Sequence, residues 1–337
     1  MRKISILIGR FQPFHKGHYK VVKEALDKTD YLIMVLGSHM KTINTRDPLI
    51  TLQREAIIKA SVTPEEFKKI RFVHVYDYLY NIDKWISGVT TGVHSCNLPW
   101  TGEPCEFYLV GMKKDYTSFY LNLFPNWKSL NVEPEDDIIS STDIRNEFYE
   151  NFYVDYLSDN FVTGEAHKLF IEFMNRSMHL CLEYKHETEY PIIWGKGPHL
   201  TVDAVIVQAG YILLINRGRE YGGNLYALPG GFVNPNEKTL DACLRELDEE
   251  TSIKIPEKVL RGSLVKSKLY DDPHRSNRGR IVSNVFQFRL SDVGPLAKVK
   301  GGDDADNASW VPLSKLRGMR DLMFEDHWDL IDDMLKL

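Results

Sequence analysis

Short apolar runs alternate with helix-spaced apolar positions along the first half of this chain. "KISILIGRF" reads as a buried strand stopped by glycine. In "HYKVVKEALDKTD", Val21, Val22, Ala25 and Leu26 recur at helical spacing. "YLIMVLGS" is a second strand, ending at Gly37 and Ser38. Strand, helix and strand in so short a stretch make a βαβ unit, which predicts a parallel sheet. "LITLQREAIIKASV" continues as a helix and "IRFVHVY" and "CEFYLVG" as strands. "STDIRNEFYENF" and "GEAHKLFIEFMNRSMHLCLEY" are helical. The pattern predicts a doubly wound, Rossmann-like α/β domain over residues 1–185. In such a fold the ligand lies beyond the carboxyl ends of the strands.

The period fails at "KHETEYPIIWGKGPHL", which is polar and then carries proline and glycine. Residues 186–199 are expected to be a linker. Beyond it, "LTVDAVIVQ" and "YILLINR" are strands joined at Ala209 and Gly210, a hairpin pattern. One helix, the strand "NVFQFRL" and a helical C-terminal stretch follow, which predicts an α+β domain over 200–337.

Composition narrows the function classes. The net charge of −5 gives no global basic field for nucleic acid or an anionic membrane. Any polyanion must therefore be held by local sites. No run approaches the ~20 apolar residues of a membrane span, and the N-terminal apolar stretch is too short for a signal peptide. Cys96, Cys105, Cys181 and Cys243 show no CxxC spacing and read as reduced thiols. The expectation is a cytoplasmic protein, with a homo-oligomer left open.

"GRFQPFHKGH", Gly9 to His18, sits after the first strand and holds two histidines three apart. A zinc site would need further N or S ligands, and none lies nearby. Two plain turn histidines are another reading. The third is an anion site. Gly17 lets backbone approach a ligand, and His18 would open a helix starting near Tyr19, where unpaired N–H groups favour phosphate.

The decapeptide resembles the HxGH signature of the nucleotidyltransferase superfamily. "ISSTDIR", Ile139 to Arg145, is similar to that superfamily's C-terminal ISSTxIR motif. Ser140, Ser141 and Thr142 can cap a helix and grip phosphate, and Arg145 adds a charge-assisted fork. Within the superfamily, "GSHMKTINTRDPLITLQRE" looks most like archaeal-type nicotinamide mononucleotide (NMN) adenylyltransferases. Arg46, Asp47, Pro48 and Arg54 match; Leu49 and Gln53 depart from the usual aromatic and acidic residues. The resemblance implies transfer of adenylyl from ATP to NMN, giving NAD and pyrophosphate. It implies that His15 and His18 hold ATP phosphates and that Arg46 and Arg145 clamp them. Gly9, Arg10 and Phe11 would shape the ATP entrance, and Mg²⁺ would bridge the triphosphate. Lys41 stands where the family carries a polar or basic residue. Trp85 either stacks on the nicotinamide ring or belongs to the core.

"GFVNPNEKTLDACLRELDEETSI", Gly231 to Ile253, carries two helical stripes. Leu240, Leu244 and Leu247 form one; Glu246, Glu249 and Glu250 form the other. A solvated acidic face is the ordinary reading of such a run. Here the only nearby cation is Arg245, and uncompensated carboxylates suit Mg²⁺ or Mn²⁺. Gly231, Glu237, Arg245, Glu246, Leu247, Glu249, Glu250 and Ile253 fall at the spacing of the Nudix box, with Ser252 replacing its last glycine. That resemblance implies metal binding by Glu246, Glu249 and Glu250, with catalytic Glu249 among them. Arg245 would orient the glutamates and Glu237 would support the metal site. Ser252 puts the end of the helix in doubt, since glycine tolerates φ > 0 there. "DDPHRSNRGRIVS", Asp271 to Ser283, resembles a segment of some ADP-ribose pyrophosphatases, with a polar surface loop as the plainer reading.

Together these resemblances imply a bifunctional NMN adenylyltransferase and Nudix hydrolase. Its ligands would be ATP, NMN, NAD and ADP-ribose, with Mg²⁺ or Mn²⁺ as cofactor and neither nucleic acid nor membrane as partner. Two rivals stand beside it. An HxGH enzyme could use another phosphate acceptor, or the second domain could be a nucleotide-sensing regulator. A sensor can dispense with the metal carboxylates, and this chain keeps all three.

Overall fold

The computed structural model describes residues 1–98, 104–111, 122–132, 140–151, 155–218, 221–301 and 305–337. Two compact units divide the chain, Met1–Cys181 and Leu182–Leu337.

In the first unit β1 (Arg2–Gly9), α1 (Lys16–Lys28) and β2 (Tyr31–Leu36) form the expected βαβ unit. They are followed by α2 (Thr51–Ser61), α3 (Pro64–Lys68), β3 (Ile70–His74), α4 (Ile82–Ser95), β4 (Cys105–Gly111), β5 (Lys128–Asn131), α5 (Ser141–Asn151) and α6 (Gly164–Asn175). The sheet runs β3-β2-β1-β4-β5, and every pairing in it is parallel. Strand order reverses between β1 and β4, so the crevice beyond Gly9 is the switch point where this fold places its ligand. Leu32 to Leu36 are wholly buried, as a strand covered on both faces requires. Ile4, Ile6, Ile33, Val35, Val73 and Val89 form the core of that sheet.

Helix α1 begins at Lys16, not near Tyr19 as expected. His15 is its N-cap: the Gly17 N–H donates to His15 Nδ1 at 3.1 Å. An imidazole does here what Ser or Asp usually does, which is why cap preferences put the start too late.

Helix α7 (His179–Trp194) replaces the irregular linker expected over 186–199 for most of its length. Pro191 lies inside it. Leu182, Ile192, Ile193 and Trp194 are exposed, so the helix has no single apolar stripe and left no period to read. Its second half packs within the second unit, where Tyr221 Oη donates to Glu187 Oε1 at 3.0 Å.

The second unit contains β6 (His199–Gln208), β7 (Tyr211–Arg217), β8 (Tyr226–Ala227), β9 (Gly230–Phe232) and α8 (Thr239–Thr251). After them come α9 (Glu257–Gly262), β10 (Leu264–Tyr270), β11 (Ile281–Arg289), β12 (Ala305–Pro312) and α10 (His327–Leu335). The sheet runs β10-β11-β6-β7-β12, with β8 on β7 and β9 on β6. Only the β11–β6 pairing is parallel among the described strands of this sheet, so it is mixed. The β6–β7 hairpin turns at Ala209 and Gly210 as expected. Ala242, Leu244 and Leu247 of α8 bury against Val202, Ala204 and Phe286. Ser252 ends α8 in the left-handed region at φ 43°, the conformation a glycine would adopt there without strain. All four cysteines are free thiols. Among the described residues no helix is long and apolar enough to cross a membrane.

Candidate active sites

The first site forms where β1 ends. A Cβ on Gly9 would lie 2.8 Å from the Phe11 ring, so only glycine lets that ring fold back over the strand end. Phe11 is buried at φ 52°, and its ring meets His18 edge-on at 5.1 Å between centroids. Phe14 stacks on His18 at 5.5 Å, and the His15 and His18 rings are 4.0 Å apart. Phe11 and Phe14 therefore hold the His18 ring.

Two distant segments meet here. Arg145 donates to the carbonyls of Gln12 at 2.5 Å and Thr45 at 3.2 Å, and to Thr142 Oγ1 at 3.3 Å. Ser141 Oγ donates to the Pro13 carbonyl at 3.0 Å. Ser140 caps α5 through reciprocal bonds with Asp143. The two signature segments are thus bolted together; Ile139 lies outside the described residues. Arg145 is 4% exposed, and its guanidinium is engaged by these carbonyls and the Thr142 hydroxyl. Arg54 is fully buried and donates to the carbonyls of Arg10 at 2.8 Å and Gly37 at 2.7 Å. It ties the ends of β1 and β2.

The cations that face outward are organised by Asp47. This carboxylate is 3.0 Å from Lys41 Nζ and 3.5 Å from Arg10 Nη1. Burial works against its charge, but Lys41, Arg10 and Arg145 hold it well below the usual carboxylate range. Burial likewise opposes the charge on Lys41, while Asp47 and Asp77 keep it above the ordinary lysine value. Arg10 and Arg46 both press on Arg145 electrostatically. Among the described residues Arg10 and Lys41 flank Asp47, and Arg46 lies within electrostatic reach of Arg145; a local cluster of cations is the condition for holding a polyphosphate. Gln12 clasps Leu49 through both its amide groups, at 2.9 and 3.0 Å, and so fixes the Arg46–Leu49 segment. Trp85 lies half-buried on α4, 6.0 Å from Phe124 and against the apolar cluster of the sheet. Sequence reading passed over Gln12 and Asp77 and gave Asp47 no role. Nothing local marks them, because their partners are distant in the chain.

The second site is built on α8. Arg245 forms a bidentate pair with Glu237 at 2.9 Å on each oxygen. Its Nη1 also reaches Glu246 at 2.7 Å and Glu249 at 2.9 Å. Glu250 is buried and accepts the Gly230 N–H at 2.9 Å. Burial, with Glu246 nearby, pushes Glu250 up to about 8. Burial also raises Glu246. A Cβ on Gly231 would sit 2.5 Å from the Glu246 carboxyl carbon, so β9 lies directly on that carboxylate.

Among the described residues no three His, Cys, Asp or Glu side chains stand ready as a metal-ligand set. Arg245 spans Glu246 and Glu249, and Glu250 turns to the backbone. The donor chemistry nevertheless suits a hard cation: three carboxylates crowd one helix face, two of them resisting ionisation. A divalent ion would relieve that resistance. Glu249 is the most exposed of the three, with 43% of its side chain open.

The Asp271–Ser283 segment, whose last residues open β11, is anchored by ion pairs. Arg275 pairs with Asp326 at 2.9 and 3.0 Å, both side chains 4% exposed. Arg278 pairs with Glu325 at 3.0 Å, and Ser276 donates to the same carboxylate. The residues that receive the loop fall in a stretch whose sequence shows only helical spacing.

Comparison with known proteins matches each unit to a family. The Cytidylyltransferase-like family model matches residues 6–147, and the NUDIX domain model matches 197–334. A nicotinamide/nicotinic acid mononucleotide adenylyltransferase of Acinetobacter baylyi is 33% identical over 145 residues, covering 43% of this chain and 74% of that one. An ADP-ribose pyrophosphatase of Methanocaldococcus jannaschii is 38% identical over 141 residues, covering 41% and 74%. The crystal structure of a bifunctional NMN adenylyltransferase/ADP ribose pyrophosphatase from Francisella tularensis aligns over 100% of this chain and 99% of its own, at 30% identity and a TM-score of 0.90. A second structure of that description, complexed with AMP and Mn ion, aligns at 29% identity and 0.89. By its two domains and their sites, the chain belongs to the family of bifunctional NMN adenylyltransferase/ADP-ribose pyrophosphatases.

Proposed function

We propose that the first unit transfers adenylyl from ATP to NMN and that the second hydrolyses ADP-ribose to AMP and ribose 5-phosphate. The observation that carries the first half is the buried Asp47 flanked by Lys41 and Arg10, in the unit that also brings the His15 and His18 rings together. In adenylyl transfer an NMN phosphate oxygen bonds to the α-phosphorus of ATP while the bond to the β-phosphate oxygen breaks, releasing pyrophosphate. Lys41, Arg10 and Arg46 bind the phosphates. His15 and His18 steady charge on the phosphate under attack, with Phe11 and Phe14 fixing the His18 ring. Arg145 and Arg54 hold the loops that present these groups.

For the second half, the carrying observation is the Arg245-bridged glutamate face. Glu246, Glu249 and Glu250 would hold the cation, while Glu237 holds Arg245 in place. When bound, Mg²⁺ or Mn²⁺ supplies positive charge that steadies the diphosphate and acidifies the attacking water. Ion pairs to Glu325 and Asp326 hold the Asp271–Ser283 segment, which resembles one of ADP-ribose pyrophosphatases.

An assay on the purified chain tests both halves. NMN with ATP should yield NAD, and His18→Ala should stop this while ADP-ribose hydrolysis continues. Glu249→Gln should stop hydrolysis alone. Loss of both activities in either variant would contradict two separate sites.

A further inference from the structure

Four consecutive residues of the second unit each fasten a different part of it. The Phe324 N–H donates to the Tyr226 carbonyl, Glu325 pairs with Arg278, and Asp326 pairs with Arg275. The fourth is His327, which the hydrolytic chemistry above does not use. Its Nδ1 accepts the Leu228 N–H at 2.9 Å. That bond requires a lone pair at Nδ1, so the ring is neutral with its proton on Nε2. Nε2 faces Asp203 at 3.9 Å, and Asp203 itself accepts the hydroxyl of Ser283. All of these groups are buried.

Leu228 opens the turn into β9. Two residues on, the Gly230 N–H donates to Glu250. Between them the Pro229 carbonyl accepts the Ala204 N–H at 2.8 Å. The turn is therefore a short strut, gripped by an imidazole at one end and a glutamate at the other. Gly230 lies close against β6, because a Cβ there would lie 2.1 Å from the Val202 carbonyl.

We propose that His327 is a positioning residue for the hydrolytic site, fixing Glu250 for a divalent cation by holding the Leu228–Gly230 turn. Burial keeps the ring neutral, lowering it to about 4, so the acceptor persists at working pH. The inference rests on Glu250 being a metal ligand, as proposed above. Partners that orient a metal ligand from behind are worth about 10–100-fold in metal affinity when removed.

The test compares two near-isosteres in the full chain. Asn places its carbonyl oxygen near Nδ1, whereas Gln reaches the Nε2 position. Mn²⁺ binding, read from the signal of free Mn²⁺ by electron paramagnetic resonance, should weaken about tenfold in His327→Gln and recover most of the way in His327→Asn. A residue that merely fills space would favour the larger Gln. Equal binding in both variants, or better binding in Gln, overturns the inference. The wild-type chain gives a second reading that needs no variant. In hydrogen–deuterium exchange the peptide over 228–230 should exchange as slowly as β6, and fast exchange there overturns the inference as well. A wild-type chain that binds Mn²⁺ but leaves ADP-ribose intact would retire the substrate assignment and leave the role of His327 standing.

Discussion

Arg145 and Gln12 are 133 residues apart in sequence, yet the guanidinium of one donates to the carbonyl of the other at 2.5 Å. This bond, with those to Thr45 and Ser141, fastens the start of α5 to the segments that follow β1 and β2.

Arg145→Ala should leave several buried carbonyls without donors. Each unsatisfied group costs about 1–3 kcal/mol, so the variant should lose about 3 kcal/mol or more in denaturant melts of the first unit. Arg145→Lys should recover only part of this, since one ammonium cannot reproduce the fork. A variant as stable as the wild type would show that the carbonyls find water instead.

Asp47 gives the first unit a defined acid limit. Its folded value lies below the ordinary 3.8, so its contribution to stability is complete above that pH and fades as pH falls below it. Melting temperatures taken from pH 5 downward should therefore drop faster in wild type than in Asp47→Asn. The same variant should raise KM for ATP, because Lys41 and Arg10 lose their common anchor.

The buried Arg275–Asp326 pair should be costly to break and cheap to replace. Asp326→Ala leaves an uncompensated guanidinium and is expected to destabilise the second unit by about 3–5 kcal/mol. Arg275→Met with Asp326→Leu should cost much less, on the same desolvation argument. If the single and double variants melt alike, the pair is better solvated than its 4% exposure indicates.

Ser252→Gly should stabilise the second unit by about 1 kcal/mol, by removing the Cβ from a left-handed position. Calorimetry should show its transition a few degrees higher, with ADP-ribose hydrolysis unchanged at 25 °C. A lower transition would mean that the glycine's gain in unfolded-state freedom outweighs the relief.

Gly231→Ala should act on hydrolysis alone. The added Cβ would meet the Glu246 carboxyl carbon at 2.5 Å and must displace it. NAD formation serves as the internal control, and hydrolysis should fall by an order of magnitude or more. Unchanged hydrolysis would place Glu246 outside the metal site.

The sequence by itself determined the local elements and the chemistry strung along them. Unbroken runs such as "YLIMVL" could only be covered strands, and i,i+3 and i,i+4 spacing put Glu246, Glu249 and Glu250 on one face of α8. Those patterns repeat within a turn or a pleat, so they survive in one dimension. Only the tertiary structure decided which charges face outward. Arg54 and Arg145 carry the same side chain as Arg10 and Arg46, yet burial commits them to backbone carbonyls from other elements. It also decided that Asp203, Glu325, Asp326 and His327 surround the loops of the hydrolytic unit, and that α7 is a helix without an apolar stripe. The physical reason is the same in each case. The energy of a buried polar group depends on the partner it meets, and that partner is set by the packing of segments far apart in the chain.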